Sequence, residues 1–198
     1  MDDPAVNPAE LRQALGFIRQ INARLGYNRA TARALREIAG PTASVLDVCC
    51  GSTDFAAHVD GLYVGLDLHA ATLGLADEVP RVRANAVTLP FDKGAFDVAV
   101  CQMSLHHFDL KTTILVLAEM TRVTRRGWVA ADLLRRRRAS MWIGMFTMTS
   151  SPMVRHDARL SVRQAWSPVE ARELAYRSGA SYRETFGHRF LMTRRHGG

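Results

Sequence analysis

The chain has 198 residues, of which 47% are hydrophobic and 23% are charged, so it is long enough to bury one core without disulfides or structural metal. This composition excludes an intrinsically disordered protein, and the longest strongly apolar stretch, Met141 to Met148, is far shorter than the roughly 20 residues that cross a bilayer. The net charge of +7 does not by itself select a partner.

Residues 1–40 are predicted to form a helical cap at the start of a single domain that spans residues 1–198. The first residues are acidic and contain proline, unlike a secretory signal, so we expect a cytoplasmic protein. Apolar residues recur at helical spacing from Ala9 to Arg36 and are interrupted at Gly26, which indicates two amphipathic helices.

Residues 41–198 are predicted to form an α/β core. Strands that alternate with helices favour a doubly wound, mostly parallel sheet. Five short apolar runs typical of buried strands occur here, with helical or loop segments between them: 44–50, 62–67, 81–85, 96–101 and 127–134.

Residues 135–166 are predicted to be a lid-like insertion within this core. Its methionine-rich segment suits either a core or a flexible apolar cover for a ligand. Arg135 to Arg138 form either a solvated helix face or contacts for a phosphate or carboxylate. Arg155 to Asp157 allow two interpretations, a His–Asp pair near a ligand or a polar loop, and we favour the loop.

The C-terminal segment carries the clearest local signals. A capping box and a later stop glycine predict a helix from Ser167 to Gly179. Two strand-like runs flank Gly187 and predict an antiparallel hairpin at the sheet edge, residues 181–186 and 189–194.

Charge is distributed unevenly along the chain. Residues 1–120 carry a net charge of −4, whereas residues 121–198 carry +11. The positive part suits RNA, a membrane surface or an acidic small molecule, or it is simply a solvated face.

The three cysteines, Cys49, Cys50 and Cys101, fall near the ends of predicted strands. Adjacent cysteines do not readily bridge each other, and the sequence contains no CxxC or Cys/His metal spacing. We therefore expect reduced thiols and no metal site.

Acidic residues close the first two predicted strands. Ligands of parallel sheets bind beyond the carboxyl ends of the strands, and Asp67 lies twenty residues after Asp47, where a carboxylate accepts hydrogen bonds from ribose hydroxyls. The intervening turn contains only Gly51 and lacks the G-x-G-x-x-G that approaches a pyrophosphate. The sequence therefore indicates a ligand that contains a nucleoside but no pyrophosphate. The alternative is that Asp67 only caps the following helix.

Four motifs follow one another in order: VLDVCCGSTDF, GLDL, ANAVTLPFDKGAFDVAVCQMSLHHFD and LAEMTRVTRRGWVAADL. This series resembles the class I S-adenosylmethionine-dependent methyltransferases, in particular the type 11/12-like bacterial enzymes for small molecules. The resemblance implies S-adenosyl-L-methionine as cofactor. It also implies a seven-stranded Rossmann-like sheet in the order 3-2-1-4-5-7-6, with the antiparallel hairpin at the C-terminal end.

The resemblance further implies which residues surround the cofactor. Asp67 is expected to hold the ribose, and Leu68 to flank the adenine. The full expected set is Asp47, Cys49, Cys50, Gly51, Asp67, Leu68, Asn85, Ala86, Gln102 and Met103. Three positions depart from the family pattern: Cys49 and Thr53 stand where glycine is usual, and Asn85 stands where an acidic residue is common. Thr53 disfavours backbone angles that glycine takes freely.

The resemblance places His106 and His107 on the acceptor side, as candidate catalytic residues for proton transfer. The alternative is one buried, hydrogen-bonded ring and one exposed ring. Many enzymes that transfer methyl groups need only an in-line approach of the nucleophile, so a general base is not required by the chemistry.

The predicted function is therefore methyl transfer from S-adenosyl-L-methionine to oxygen or carbon of a small-molecule acceptor, which the apolar lid allows to be hydrophobic. Two alternatives stay open at this point. One is an RNA methyltransferase or RNA-binding protein that uses the basic C-terminal part. The other is a non-catalytic scaffold with the methyltransferase fold, as the altered glycine turn suggests.

Overall fold

The computed structural model describes residues 12, 15–16, 19–20, 22–74, 79–136, 147 and 152–197. These residues build one sheet in the order β3-β2-β1-β4-β5-β7-β6, which confirms the predicted fold class and strand order. The strands are β1 (Val45–Val48), β2 (Tyr63–Asp67), β3 (Arg81–Arg83), β4 (Phe96–Gln102), β5 (Thr124–Leu133), β6 (Ser181–Thr185) and β7 (Arg189–Arg195).

The helices alternate with the strands as predicted. The described residues between 12 and 24 are helical, and Gly26, with φ 68°, separates them from the next helix. The helices are α1 (Tyr27–Ala39), α2 (Ala70–Leu73), α3 (Leu110–Val123), α4 (Pro152–Gln164) and α5 (Pro168–Arg177). Among the residues that the structure describes, no helix is long and apolar enough to cross a bilayer.

The sheet is parallel from β3 to β5 and antiparallel from β5 to β6. Strand β1 pairs with β2 on one side and with β4 on the other, so the strand order reverses there and a crevice opens at the carboxyl ends of these strands. Each face of the sheet has its own apolar cluster: Leu35 of α1 belongs to one, and Met120 of α3 and Leu174 of α5 belong to the other.

Strand β5 begins at Thr124, directly after α3, and not at Gly127 as the sequence pattern predicts. Its second and third residues, both arginines, are charged and exposed. Arg125 pairs with Asp97 of β4, and the pairing with β4 shifts register at Phe96. Charged side chains at a strand end interrupt the apolar run by which a strand is recognised.

The prediction of a loop at Arg155 to Asp157 is wrong, because these residues lie within α4. Val154 and Val162 are both buried and are eight residues apart, which places them on one helical face. The arginines and Asp157 between the two valines hide the helical spacing of apolar residues in the sequence. The lid-like role of 135–166 stays a prediction, because 137–146 and 148–151 lie outside the described residues.

The local signals of the C-terminal segment are confirmed. The Ser167 hydroxyl accepts from the Glu170 amide at 3.2 Å, and the Glu170 carboxylate accepts from the Ser167 amide at 2.7 Å. The helix stops before Gly179, which has φ 63°. Strands β6 and β7 pair as the predicted hairpin.

Candidate active site

The crevice at the carboxyl ends of β1, β2 and β4 holds a cavity of about 400 Å³. All ten residues that the motif resemblance predicts around the cofactor line it: Asp47, Cys49, Cys50, Gly51, Asp67, Leu68, Asn85, Ala86, Gln102 and Met103. Three further lining residues come from the N-terminal helical segments and were not predicted: Leu15, Asn22 and Asn28. The predicted set is therefore brought together in one place, although its contact with a cofactor stays a prediction.

The turn after β1 is held in left-handed backbone geometry. Cys49 has φ 59°, Gly51 φ 54° and Thr53 φ 61°, so both non-glycine departures from the family pattern adopt the angle that glycine takes freely. A left-handed residue with a side chain costs about 1–2 kcal/mol, and β-branched Thr53 is the less common case. Gly65 of β2 makes room for this turn, since a Cβ there would lie 2.9 Å from the Cys50 Sγ.

Asp67 connects the ends of β1 and β2. Its Oδ2 accepts from the Gly51 amide at 2.9 Å, and its Oδ1 accepts from the His69 amide at 2.9 Å. Each carboxylate oxygen has a further lone pair, so both can still accept from the hydroxyls of a ribose. The alternative that Asp67 caps a helix is wrong, because His69 is the N-cap of α2.

Asp47 lies at the base of the crevice and is buried. Burial raises the pKa of Asp47 to about 7, although the Tyr63 hydroxyl, which donates to its Oδ2 at 2.7 Å, acts in the opposite direction. A cation placed nearby favours the ionised carboxylate. Sequence reasoning missed Tyr63, because a tyrosine in an apolar strand gives no sign of which side chain it contacts on the neighbouring strand.

His106 and His107 take different places: His106 is buried and hydrogen-bonded and His107 is exposed, as the alternative of one buried and one exposed ring predicts. His107 lines the cavity, and its ring centroid lies 4.2 Å from that of His106. The His106 side chain is only 2% exposed, and within the described part of the chain it is not among the cavity-lining residues.

Asp132, at the end of β5, holds His106 by two hydrogen bonds. Its Oδ1 lies 2.7 Å from the His106 Nδ1, and its Oδ2 accepts from the His106 amide at 2.8 Å. Because a carboxylate accepts, this pair places the ring hydrogen on Nδ1. The His106 Nε2 is buried and has no hydrogen-bond partner among the described residues.

Sequence reasoning missed Asp132. The available signal was the same as for Asp47 and Asp67, an acidic residue at the carboxyl end of an apolar strand.

Several arginines of the basic C-terminal part are paired. Arg135 binds Glu170, Arg172 binds Glu184, and Arg177 binds Glu173. Such exposed pairs contribute little to stability, but they partly neutralise the positive charge of this surface. Arg137 and Arg138 lie outside the described residues.

Residues 46–131 match a family model described as methyltransferase domain. A demethylmenaquinone methyltransferase of Mycolicibacterium gilvum is 36% identical over 111 residues, covering 52% of this chain and 47% of that protein. A protein of the same description from Staphylococcus carnosus is 31% identical over 101 residues, covering 44% of this chain and 41% of that protein. The chain thus spans about half the length of the curated relatives that it matches.

Solved structures share the fold. A SAM-dependent methyltransferase from Aquifex aeolicus has a TM-score of 0.64 at 12% identity, covering 96% of this chain and 98% of that one. Magnesium protoporphyrin IX methyltransferase from Synechocystis, solved with bound SAH, has a TM-score of 0.58 at 13% identity, covering 98% and 90%. The family match and the fold together confirm the resemblance that the four motifs indicate.

Proposed function

We propose that this chain, whose fold and residues 46–131 are those of the class I S-adenosylmethionine-dependent methyltransferases, transfers a methyl group to a small-molecule acceptor. The observation that carries the proposal is the Asp67 carboxylate, fixed at 2.9 Å to the Gly51 amide beside a cavity that all ten expected residues line. When bound, S-adenosylmethionine supplies an electrophilic methyl group on its sulfonium.

The cavity residues fit the parts of this cofactor. Asp67 accepts from the ribose hydroxyls, while Asp47 and the left-handed turn face the cationic methionine end. Leu68 is half-exposed in the free protein, and a bound adenine would cover it. Asn85 and Ala86 border the adenine edge, and Gln102 and Met103 lie along the cofactor after β4.

The His106–Asp132 pair supplies a base for the acceptor. Asp132 holds the hydrogen on Nδ1, so the buried Nε2 of His106 has a free lone pair. Because His107 and not His106 lines the cavity, the proton that the acceptor loses on methylation reaches His106 by way of His107, and the demethylated cofactor is the leaving group. His107 lines the cavity with its ring centroid 4.2 Å from that of His106, and it is the histidine that contacts the acceptor. Asp132 acts through His106 and is a positioning residue.

The acceptor class follows from chemistry and from the relatives. The curated relatives are named for demethylmenaquinone, an apolar ring compound, and we infer a hydroxylated or carbon-nucleophilic ring compound as the acceptor of this chain. Transfer to oxygen or to carbon is compatible with the same base. A cytoplasmic location belongs to the same proposal.

The cofactor half of the proposal is tested by isothermal titration with S-adenosylhomocysteine and S-adenosylmethionine. We expect both to bind wild type, and Asp67→Ala to weaken binding by about 100-fold, as expected when two hydrogen bonds to a carboxylate are lost. Asp60→Ala is the matched control, because Asp60 pairs with Arg36 on the surface, outside the cavity lining. Absence of heat from wild type up to millimolar ligand would overturn the proposal.

The scaffold alternative is separated by a second measurement. Labelled methyl transfer from S-adenosylmethionine to any compound in a cell extract, lost in His106→Gln, supports catalysis. Binding of the cofactor without transfer to any compound would instead favour a non-catalytic protein, and transfer only to RNA would favour the RNA alternative.

A further inference from the structure

Arg189, the first residue of β7, is a buried cation. The residue is only 5% exposed, and its guanidinium carbon lies 3.0 Å from the centroid of the Tyr27 ring. Burial lowers the pKa of Arg189 to about 9, so the group stays charged at neutral pH.

The partners of this cation are all neutral. Its Nη2 donates to the Asn22 side-chain oxygen at 2.9 Å, and its Nε is buried with no hydrogen-bond partner in the described part of the chain. Among the described residues no carboxylate forms an ion pair with Arg189, and Asp132, which binds His106, acts on it only through its field. Buried charges in proteins are normally paired, and an unpaired one calls for an explanation.

The place of Arg189 in the fold points to a ligand. It pairs with Leu133 at the end of β5, so it stands at the same edge of the sheet as the crevice, and its side chain lies on the face of α1, opposite to that of Asp132. Asn22, which it binds, lines the cavity itself. Asn22 therefore connects Arg189, which is not itself among the lining residues, to the cavity.

We propose that Arg189 binds a carboxylate of the methyl acceptor and that the Asn22 amide oxygen occupies the position of this carboxylate in the free protein. The proposal rests on the proposed function and narrows its substrate class to hydroxy-acids with an apolar ring. A guanidinium presents planar, paired donors that match a carboxylate. The hydroxyl of such an acceptor lies in the cavity that His107 lines, and its acid group lies toward Arg189 at the Asn22 wall.

Two variants separate ligand binding from a structural role. Asn22→Asp supplies the missing carboxylate within the chain, so we expect it to raise the melting temperature of the free protein and to abolish binding of an acidic ligand. Arg189→Met removes the unpaired charge at similar volume, so its melting temperature is expected to equal or exceed that of wild type. Arg194→Met is the matched control, because Arg194 lies on the same strand but binds the Ser178 carbonyl.

The ligand test uses para-hydroxybenzoate and hydroxynaphthoate, each against its neutral amide, with the protein saturated with S-adenosylhomocysteine. In wild type and Arg194→Met we expect the acids to bind at least about tenfold more tightly than the amides, which corresponds to about 1.4 kcal/mol. In Asn22→Asp and Arg189→Met the preference for the acid is expected to disappear.

Several results overturn the proposal. These are equal binding of acid and amide to wild type, no binding of either while S-adenosylhomocysteine binds normally, or an unchanged preference in Arg189→Met. A fall of several degrees in the melting temperature of Arg189→Met identifies the arginine as structural and also overturns it. Failure of S-adenosylhomocysteine to bind is a separate result, because that failure contradicts the proposed function itself.

Discussion

The two sides of the crevice are built in different ways. On the cofactor side, Asp67 binds the amides of Gly51 and His69, sixteen and two residues away in sequence. On the side proposed for the acceptor, His106 meets Asp132 across 26 residues, and Arg189 meets Asn22 across 167. The cofactor side is thus fixed within a few neighbouring motifs, whereas the acceptor side is assembled only when distant segments fold together.

This difference predicts that acceptor-side changes alter catalysis without altering cofactor affinity. The largest effect is expected from Asp132→Asn, because an asparagine no longer enforces the ring hydrogen on the Nδ1 of His106. We expect the rate of methyl transfer to fall about 100- to 1000-fold, with a shifted pH profile and unchanged affinity for S-adenosylhomocysteine.

The matched control is His107→Gln. His107 lies beside the His106 ring, and we expect its substitution to change KM more than kcat. A proportional loss of S-adenosylhomocysteine affinity in Asp132→Asn would contradict the separation of the two sides.

On the cofactor side, the second effect is a pH dependence of stability. The folded chain keeps the Asp47 proton up to about pH 7, whereas the unfolded chain releases it near the ordinary value of 3.8. Between these values the folded state binds the extra proton, so the free energy of unfolding falls as pH rises and is level above about pH 7. We expect a fall on the order of 4 kcal/mol, the free energy that corresponds to the difference between the two pKa values.

Urea denaturation at a series of pH values measures this fall. Asp47→Asn, which cannot ionise but can still accept from Tyr63, is expected to flatten the curve over the same interval. A wild-type curve that rises with pH in this window would show that Asp47 is ionised in the folded chain.

The smallest effect is expected from the strained turn. Thr53→Gly relieves the left-handed φ of 61° but frees the unfolded backbone, so we expect a net gain of about 0.5–1 kcal/mol in the free energy of unfolding. Ser52→Gly in the same turn is the control, because Ser52 is not among the left-handed residues, and it is expected to lose stability. Equal changes in both variants would show that the turn is not strained at Thr53.

The sequence predicted most of the features that are formed by residues close to one another along the chain or within a shared motif. The capping box of Ser167 and Glu170 follows from a short local pattern. The crevice residues from Asp47 to Met103 were implied by the family resemblance of the motifs that carry them. The strand order followed from the family resemblance and not from periodicity. These features could be predicted because their residues are close in sequence or belong to a shared motif.

What sequence missed depends on contacts between distant segments. Asp132 looked like the end of an apolar strand, and Tyr63 looked like core, until the strands placed them beside His106 and Asp47. Helix α4 was hidden because polar residues separate Val154 from Val162. Nothing in the sequence around Arg189 indicated that its charge would be buried against the N-terminal segment.

The contact between Tyr27 and the β6–β7 hairpin also sets an order of events in biosynthesis. The Tyr27 hydroxyl donates to the Gly187 carbonyl at 3.3 Å, and a Cβ at position 187 would lie within 2.0 Å of that hydroxyl, so the helix end rests directly on the turn. Tyr27 leaves the ribosome long before Gly187 does. The contacts of Tyr27 and Asn22 with this hairpin therefore form only after residues 187–189 have been synthesised, so this part of the crevice wall is completed late.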